Sequence, residues 1–402
     1  MIAGFLLKGQ CLQPWDDARQ YSHLCYNDIQ PLYSIRGIDA GFFPYVSAEL
    51  TETDLINGGI EYPVLTGLFM WFVGTFVTHD ANAYLVVSAV ALAPFGLLTA
   101  YLLARLVGWR ALMWSASPAI VLYAFHNWDL LVVAATVAGF WAWKRGQPLW
   151  AAVAFAIGGA LKVYPIFFLA PLALYMLNRR EVKKAFGVAA AGIGTFIAVN
   201  LPFALINLEG WWATFAFHRR RGANFDSIWA LRFPEMTPDR LNLVTGGLTV
   251  GLFVIALGFG LWDARRRDGD GEYPFLQVAG AMLAAFLLWN KVHSPQYTLW
   301  LLPFFAMLSV HVLWWAAYAA VDLMVYIGVF RFYFESAFGA STDDPAFIAM
   351  KYGVYGRAAL LAALFVVFLT SRRADLPAEE SADEVVSHPP PKVTPVGEEA
   401  PA

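Results

Sequence analysis

Charge is what this 402-residue chain is short of. Asp, Glu, Lys and Arg make up 14% of it, where a soluble globular chain carries about 25%. That deficit excludes an ordinary water-soluble domain. Cysteine is scarcer still, with only Cys11 and Cys25. There is no His-x-x-x-His or Cys-x-x-Cys pattern and the carboxylates are scattered, so no metal site is expected. Walker and dinucleotide glycine motifs are missing as well, so neither ATP nor NAD is implied. No internal repeat stands out, and no nucleic acid is expected as a partner.

What the chain has in quantity is apolar surface: 59% hydrophobic residues, 16% of all residues being aromatic. Apolar runs of about 17–25 residues recur between residues 62 and 370, each long enough to cross a bilayer. The fold class is therefore all-α, a polytopic integral membrane protein with about 11–12 membrane helices. The net charge of −3 says little, but the placement of cations says more. Arg105 with Arg110, Lys144-Arg145, Arg179-Arg180 with Lys183-Lys184, Arg265-Arg266-Arg267 and Arg372-Arg373 are short basic loops that favour the cytoplasm. Setting all five inside gives alternating spans. They run 82–106, 111–125, 129–143, 149–161, 164–177, 185–206, 241–262, 274–289, 297–309, 312–332 and 352–370. Residues 62–78 are apolar with both flanks outside, so this segment either dips and returns or one loop is misassigned.

Ile2 to Leu7 is too short for a span; it reads either as the tail end of a first helix whose beginning precedes the chain, the favoured expectation, or as a chain that begins outside. Residues 8–61 are polar and turn-rich, a large first extracytoplasmic loop; 207–240 is a second. Cys11 and Cys25 both fall in the first loop. They are either free thiols or a bridge closing about 15 residues, worth about 3 kcal/mol in a chain-entropy account. Residues 371–402, rich in Ala, Glu, Pro and Ser, read as a disordered cytoplasmic tail.

With this topology the unusual polar residues gather at outer helix ends, and ionisable groups near membrane depth are often functional. Asp28 stands in Cys25-Tyr26-Asn27-Asp28-Ile29-Gln30-Pro31, beside Tyr26 and Asn27, which can hydrogen-bond sugar hydroxyls. It is either a general base or an Asx-turn or N-cap carboxylate. In His126-Asn127-Trp128-Asp129, the aspartate either caps the next helix or joins Asn127 in binding hydroxyls, with Trp128 stacking on a sugar. Lys162, before Tyr164-Pro165, either snorkels or binds a lipid phosphate. Arg219, Arg220 and Arg221 follow Trp211-Trp212 and suit either a phosphate or an anionic lipid surface. Lys291, His293 and Gln296 lie between two spans, where a histidine can donate to a leaving group.

Taken together, an acidic first outer loop, Glu61-Tyr62-Pro63, Lys162-Val163-Tyr164-Pro165 and Ser294-Pro295-Gln296-Tyr297 resemble glycosyltransferase family 87 of the GT-C superfamily. The resemblance runs in order from about residue 20 to about residue 310. It implies a GT-C-like unit over residues 1–370. It also implies a polyprenyl-phosphate sugar donor, typically mannose, as co-substrate, and a hydroxyl acceptor on an envelope lipid or glycan. Further implications are inverting transfer without cofactor or metal, Asp28 as base by position, and an active site on the outer side of the plasma membrane. The rival reading is a lipid or solute transporter or flippase, which calls for polar residues at mid-span and symmetry between halves.

Overall fold

A computed structural model describes residues 1–51, 54–266, 271–339 and 341–374. Most of the tail expected at 371–402, together with Glu52 and Arg267, lies outside the described residues. Among the described residues, five helices are long and apolar enough to cross a membrane: Ala81–Ser115, Val182–Ile206, Pro238–Arg266, Val312–Ser336 and Pro345–Thr370. Shorter apolar helices, among them Pro148–Leu161, Phe275–Trp289 and Thr298–Met307, fill the interior. All ten residues of Thr298–Met307 are buried, as expected for a helix apolar on every side. By contrast Val182–Ile206 turns Phe186, Ile193, Ile197, Leu201 and Leu205 outward, and Pro238–Arg266 exposes Leu243, Val250 and Val254. These two helices form the bilayer-facing flank.

The described basic loops gather at one end of the bundle. Arg110 donates to the carbonyls of Phe305, Ala306 and Leu308, and Lys144 to that of Leu106. Arg179 pairs with Glu272, and the Ser309 amide bonds the Arg372 carbonyl. The 8–61 segment occupies the opposite end, with a two-stranded hairpin at Glu49–Leu50 and Leu55–Ile56.

Two expected segments are revised and one left open is narrowed. Residues 111–125 are two short helices, Leu112–Ser115 and Pro118–Tyr123, because Pro118 cannot continue the hydrogen-bond ladder and Ser117 caps a new start. Val64–Gly74 has 11 residues, about 16 Å of helix against about 30 Å of hydrocarbon. Both its ends meet the 8–61 segment: the Tyr45 hydroxyl donates to the carbonyls of Tyr62 and Pro63, and that of Tyr33 to Val77. The next helix then starts beside Gln30 and Leu12, both of which bond Asn82. Of the two readings left open for 62–78, a helix this short with both ends on the same segment fits the one that dips and returns. Lys8, assigned to the loop, lies instead in the helix Ile2–Gly9, with its side chain buried. Its ammonium donates to the Tyr26 carbonyl at 2.7 Å and the Tyr326 hydroxyl at 3.0 Å. Cys11 and Cys25 form a disulfide that ties this helix to the segment just before Asp28.

Candidate active site

Asp28 occupies the N-cap position of Ile29–Ile35 but makes no capping hydrogen bond. Asn27 takes that duty: its Oδ1 accepts from the Gln30 amide at 3.0 Å and its Nδ2 donates to Gln30 Oε1 at 2.7 Å. The Asp28 carboxylate is thereby released toward a cavity of about 650 Å³. Asn127 Nδ2 donates to it at 2.7 Å, and the Asp28 amide is anchored to the His126 carbonyl at 2.8 Å. Burial raises the Asp28 carboxyl above its ordinary value, opposed by the Asn127 hydrogen bond and the Lys162 charge. A carboxyl moved toward neutrality is a better proton acceptor than an ordinary surface aspartate.

Lys162 ends the Pro148–Leu161 helix in extended backbone, which carries its side chain to the cavity wall. Its ammonium stands 3.4 Å from Asp129 and 3.3 Å from Asn127 Oδ1, over the Tyr62 ring at 4.4 Å. Trp300 Nε1 donates to the same aspartate at 2.7 Å. Asn127 thus joins the Asp28 carboxylate to the Lys162 ammonium, and its Nδ2 also reaches the Tyr62 hydroxyl at 2.7 Å.

Of the residues expected to touch substrate, Tyr26, Asp28, Lys162, Arg221 and Gln296 line the cavity. Others stand one layer back. Asn27 is fully buried in its capping role, and Asn127 and Asp129 are buried behind Asp28 and Lys162. Trp128 is buried in an edge-to-face contact with Tyr62 and does not line the cavity, so it offers no face to a sugar there. Tyr164 stacks on Trp300 and bonds Thr136. Lys291 spends its ammonium on the carbonyls of His218 and Arg221, at 2.8 and 2.5 Å, holding the loop that carries Arg221. Burial, with Arg221 adding to it, brings the Lys291 ammonium down to about 8. His293 bonds the Leu287 carbonyl and faces a separate small space beside Arg357. Arg219 and Arg220 point into another groove altogether.

The wall also includes groups that the sequence reading left out of the site: Glu61, Tyr62, His126, His218, Asp226, Tyr297 and Tyr333. Glu61 accepts from Arg36 at 2.7 Å, and His218 meets the Glu61 carbonyl at 2.7 Å. Burial raises the Asp226 carboxyl, and Arg357 donates to the Asp226 carbonyl at 2.9 Å. Tyr333, Phe330 and Val329 come from one face of Val312–Ser336 and complete the lining.

Residues 61–290 match glycosyltransferase family 87. The chain belongs to that family. The matched stretch carries Glu61, Asn127, Asp129, Lys162 and Arg221, while Asp28 and the 291–297 wall lie outside it. A 207-residue stretch is also 23% identical to GPI mannosyltransferase 1 of Eremothecium gossypii, over 48% of this chain and 51% of that protein. The chain spans about half the length of that curated relative.

Proposed function

We propose that this family 87 member is a membrane hexosyltransferase. It moves a hexose, mannose by family preference and by likeness to a mannosyltransferase, from a polyprenyl-phosphate donor to a hydroxyl of an envelope glycolipid or glycan. The observation that carries the reading is a half-buried carboxylate, Asp28, freed from capping and facing a cavity that Lys162 and Arg221 also line. In this mechanism Asp28 accepts the proton of the acceptor hydroxyl as that oxygen bonds the anomeric carbon. The bond from that carbon to the phosphate oxygen breaks on the opposite face, with inversion. The departing phosphate keeps the electron pair, and Lys162 and Arg221 are the cations suited to its charge. The end of the bundle away from the basic loops is the extracytoplasmic end in this reading, within the plasma membrane.

The test is transfer of radiolabelled mannose from polyprenyl-phosphate mannose to an extracted lipid fraction by the purified chain. Asp28→Asn removes the base and should lower kcat by about 10²–10⁴-fold. Asp226→Asn, the control carboxylate on the same wall, should act mainly on KM. Near wild-type turnover in folded Asp28→Asn would refute the assigned role.

A further inference from the structure

The Leu208–Arg220 helix is a partition with two working faces. Thr214 and His218, one turn apart, face inward: Thr214 Oγ1 donates to the Ile60 carbonyl at 2.7 Å, and His218 lines the reaction cavity. Trp212, Ala216, Arg219 and Arg220 follow i, i+4, i+7, i+8 spacing and so share the opposite face. With Pro238 and Asp239 they line a second groove of about 490 Å³, which has no lining residue in common with the reaction cavity.

This groove opens where the bilayer-facing flank begins. Trp212 in its lining is 51% exposed, and one helical turn from it and from Asp239 stand Leu208 and Leu243, 63% and 76% exposed, so exposed apolar side chains adjoin the groove. The guanidinium of Arg219 makes no hydrogen bond or ion pair among the described residues, and Arg220 makes a single 3.3 Å contact to the Thr51 carbonyl. Two exposed arginines, one carboxylate in Asp239 and a tryptophan at the apolar rim match a headgroup phosphate with its acyl chains alongside. Cations at the end opposite the basic loops also run against the usual charge bias, so a ligand for them is called for.

We infer that the outward face of the Leu208–Arg220 helix is a binding site for an anionic phospholipid of the surrounding leaflet, separate from the site that handles the sugar donor. The bound headgroup neutralises Arg219 and Arg220 and holds in place the wall whose other face presents His218.

The full chain, purified in neutral detergent, is titrated with phosphatidylglycerol or phosphatidylcholine while its thermal unfolding midpoint is followed. Phosphatidylglycerol should raise the midpoint and phosphatidylcholine should not. Arg219→Gln with Arg220→Gln should shift the phosphatidylglycerol titration by about 30-fold, roughly fivefold per cation. Asp239→Asn should tighten it by a similar factor for one charge, an arm that stands even if the double variant does not fold. Equal response to both lipids, or titrations unmoved in the variants, would overturn the site. So would displacement of phosphatidylglycerol by equimolar polyprenyl phosphate, which would give the groove to the donor. None of these readouts depends on sugar transfer.

Discussion

Asn127→Ala separates a chemical role for Asp28 from a structural one. In the wild type, the Asn127 amide donates to Asp28 at 2.7 Å, and this bond favours the ionised carboxylate. A hydrogen bond to a charged group is worth about 1.5–3 kcal/mol, and about 1.4 kcal/mol corresponds to one pKa unit. Removing it should therefore raise the Asp28 carboxyl further, on top of the upward push from burial. Lys162 stays paired with Asp129 at 3.4 Å and does not take over the lost contact. The sign follows from the chemistry: a base works deprotonated, so activity that needs ionised Asp28 is lost below the new, higher value and returns above it. The acid limb of kcat/KM against pH should move to higher pH, with a loss that is greatest on the acid side and shrinks under alkaline conditions. The assay is mannose transfer across a pH series in which folding is checked at each point. A uniform loss with an unmoved acid limb would show that Asn127 only supports the fold, and would refute the reasoning.

Two further predictions concern what holds the site. Cys11→Ser with Cys25→Ser should lower stability by about 3 kcal/mol, read as an earlier unfolding midpoint in the wild type under reductant but no such shift in the variant. Asp129→Asn leaves the buried Lys162 ammonium uncompensated and should cost about 3–5 kcal/mol; adding Lys162→Met should recover the midpoint yet not transfer, since the cation lining the cavity is then gone.

Much of the architecture is written in the sequence because apolar run length is a composition property. The long helices and the basic end could be read that way. Residues 111–125 could not, because a single proline at 118 outweighs an otherwise continuous run. The site is harder for a related reason. Lys162 and Asp129 lie 33 residues apart and pair only because a helix pair folds back. Lys291 looks like a free cation in a loop, yet its partners are main-chain carbonyls, which a sequence does not display. Tyr333 and Phe330 sit within an apolar span, and only packing decides that they face the cavity rather than lipid. Asp28 was ambiguous between capping and catalysis, and its neighbour Asn27 removes the capping half: Asn27 satisfies the helix start and the Asp28 carboxylate makes no capping bond.

The same accounting narrows which cavity carboxylate can serve as a base. A carboxylate already paired with a cation is a weak base, because the partner favours its ionised form and gives nothing back when a proton arrives. Glu61 is paired with Arg36 at 2.7 Å, and Asp129 with Lys162 and with Trp300. Asp28 and Asp226 are the lining carboxylates with no cation within 4 Å among the described residues. Asp226 sits on the loop pinned by Lys291 and Arg357, between two guanidinium groups that pull on its charge. Asp28 is held by a neutral amide, feels Lys162 only across Asn127, and is anchored through its amide to the His126 carbonyl. A base needs a fixed position and an unspent charge, and on this wall Asp28 alone combines the two.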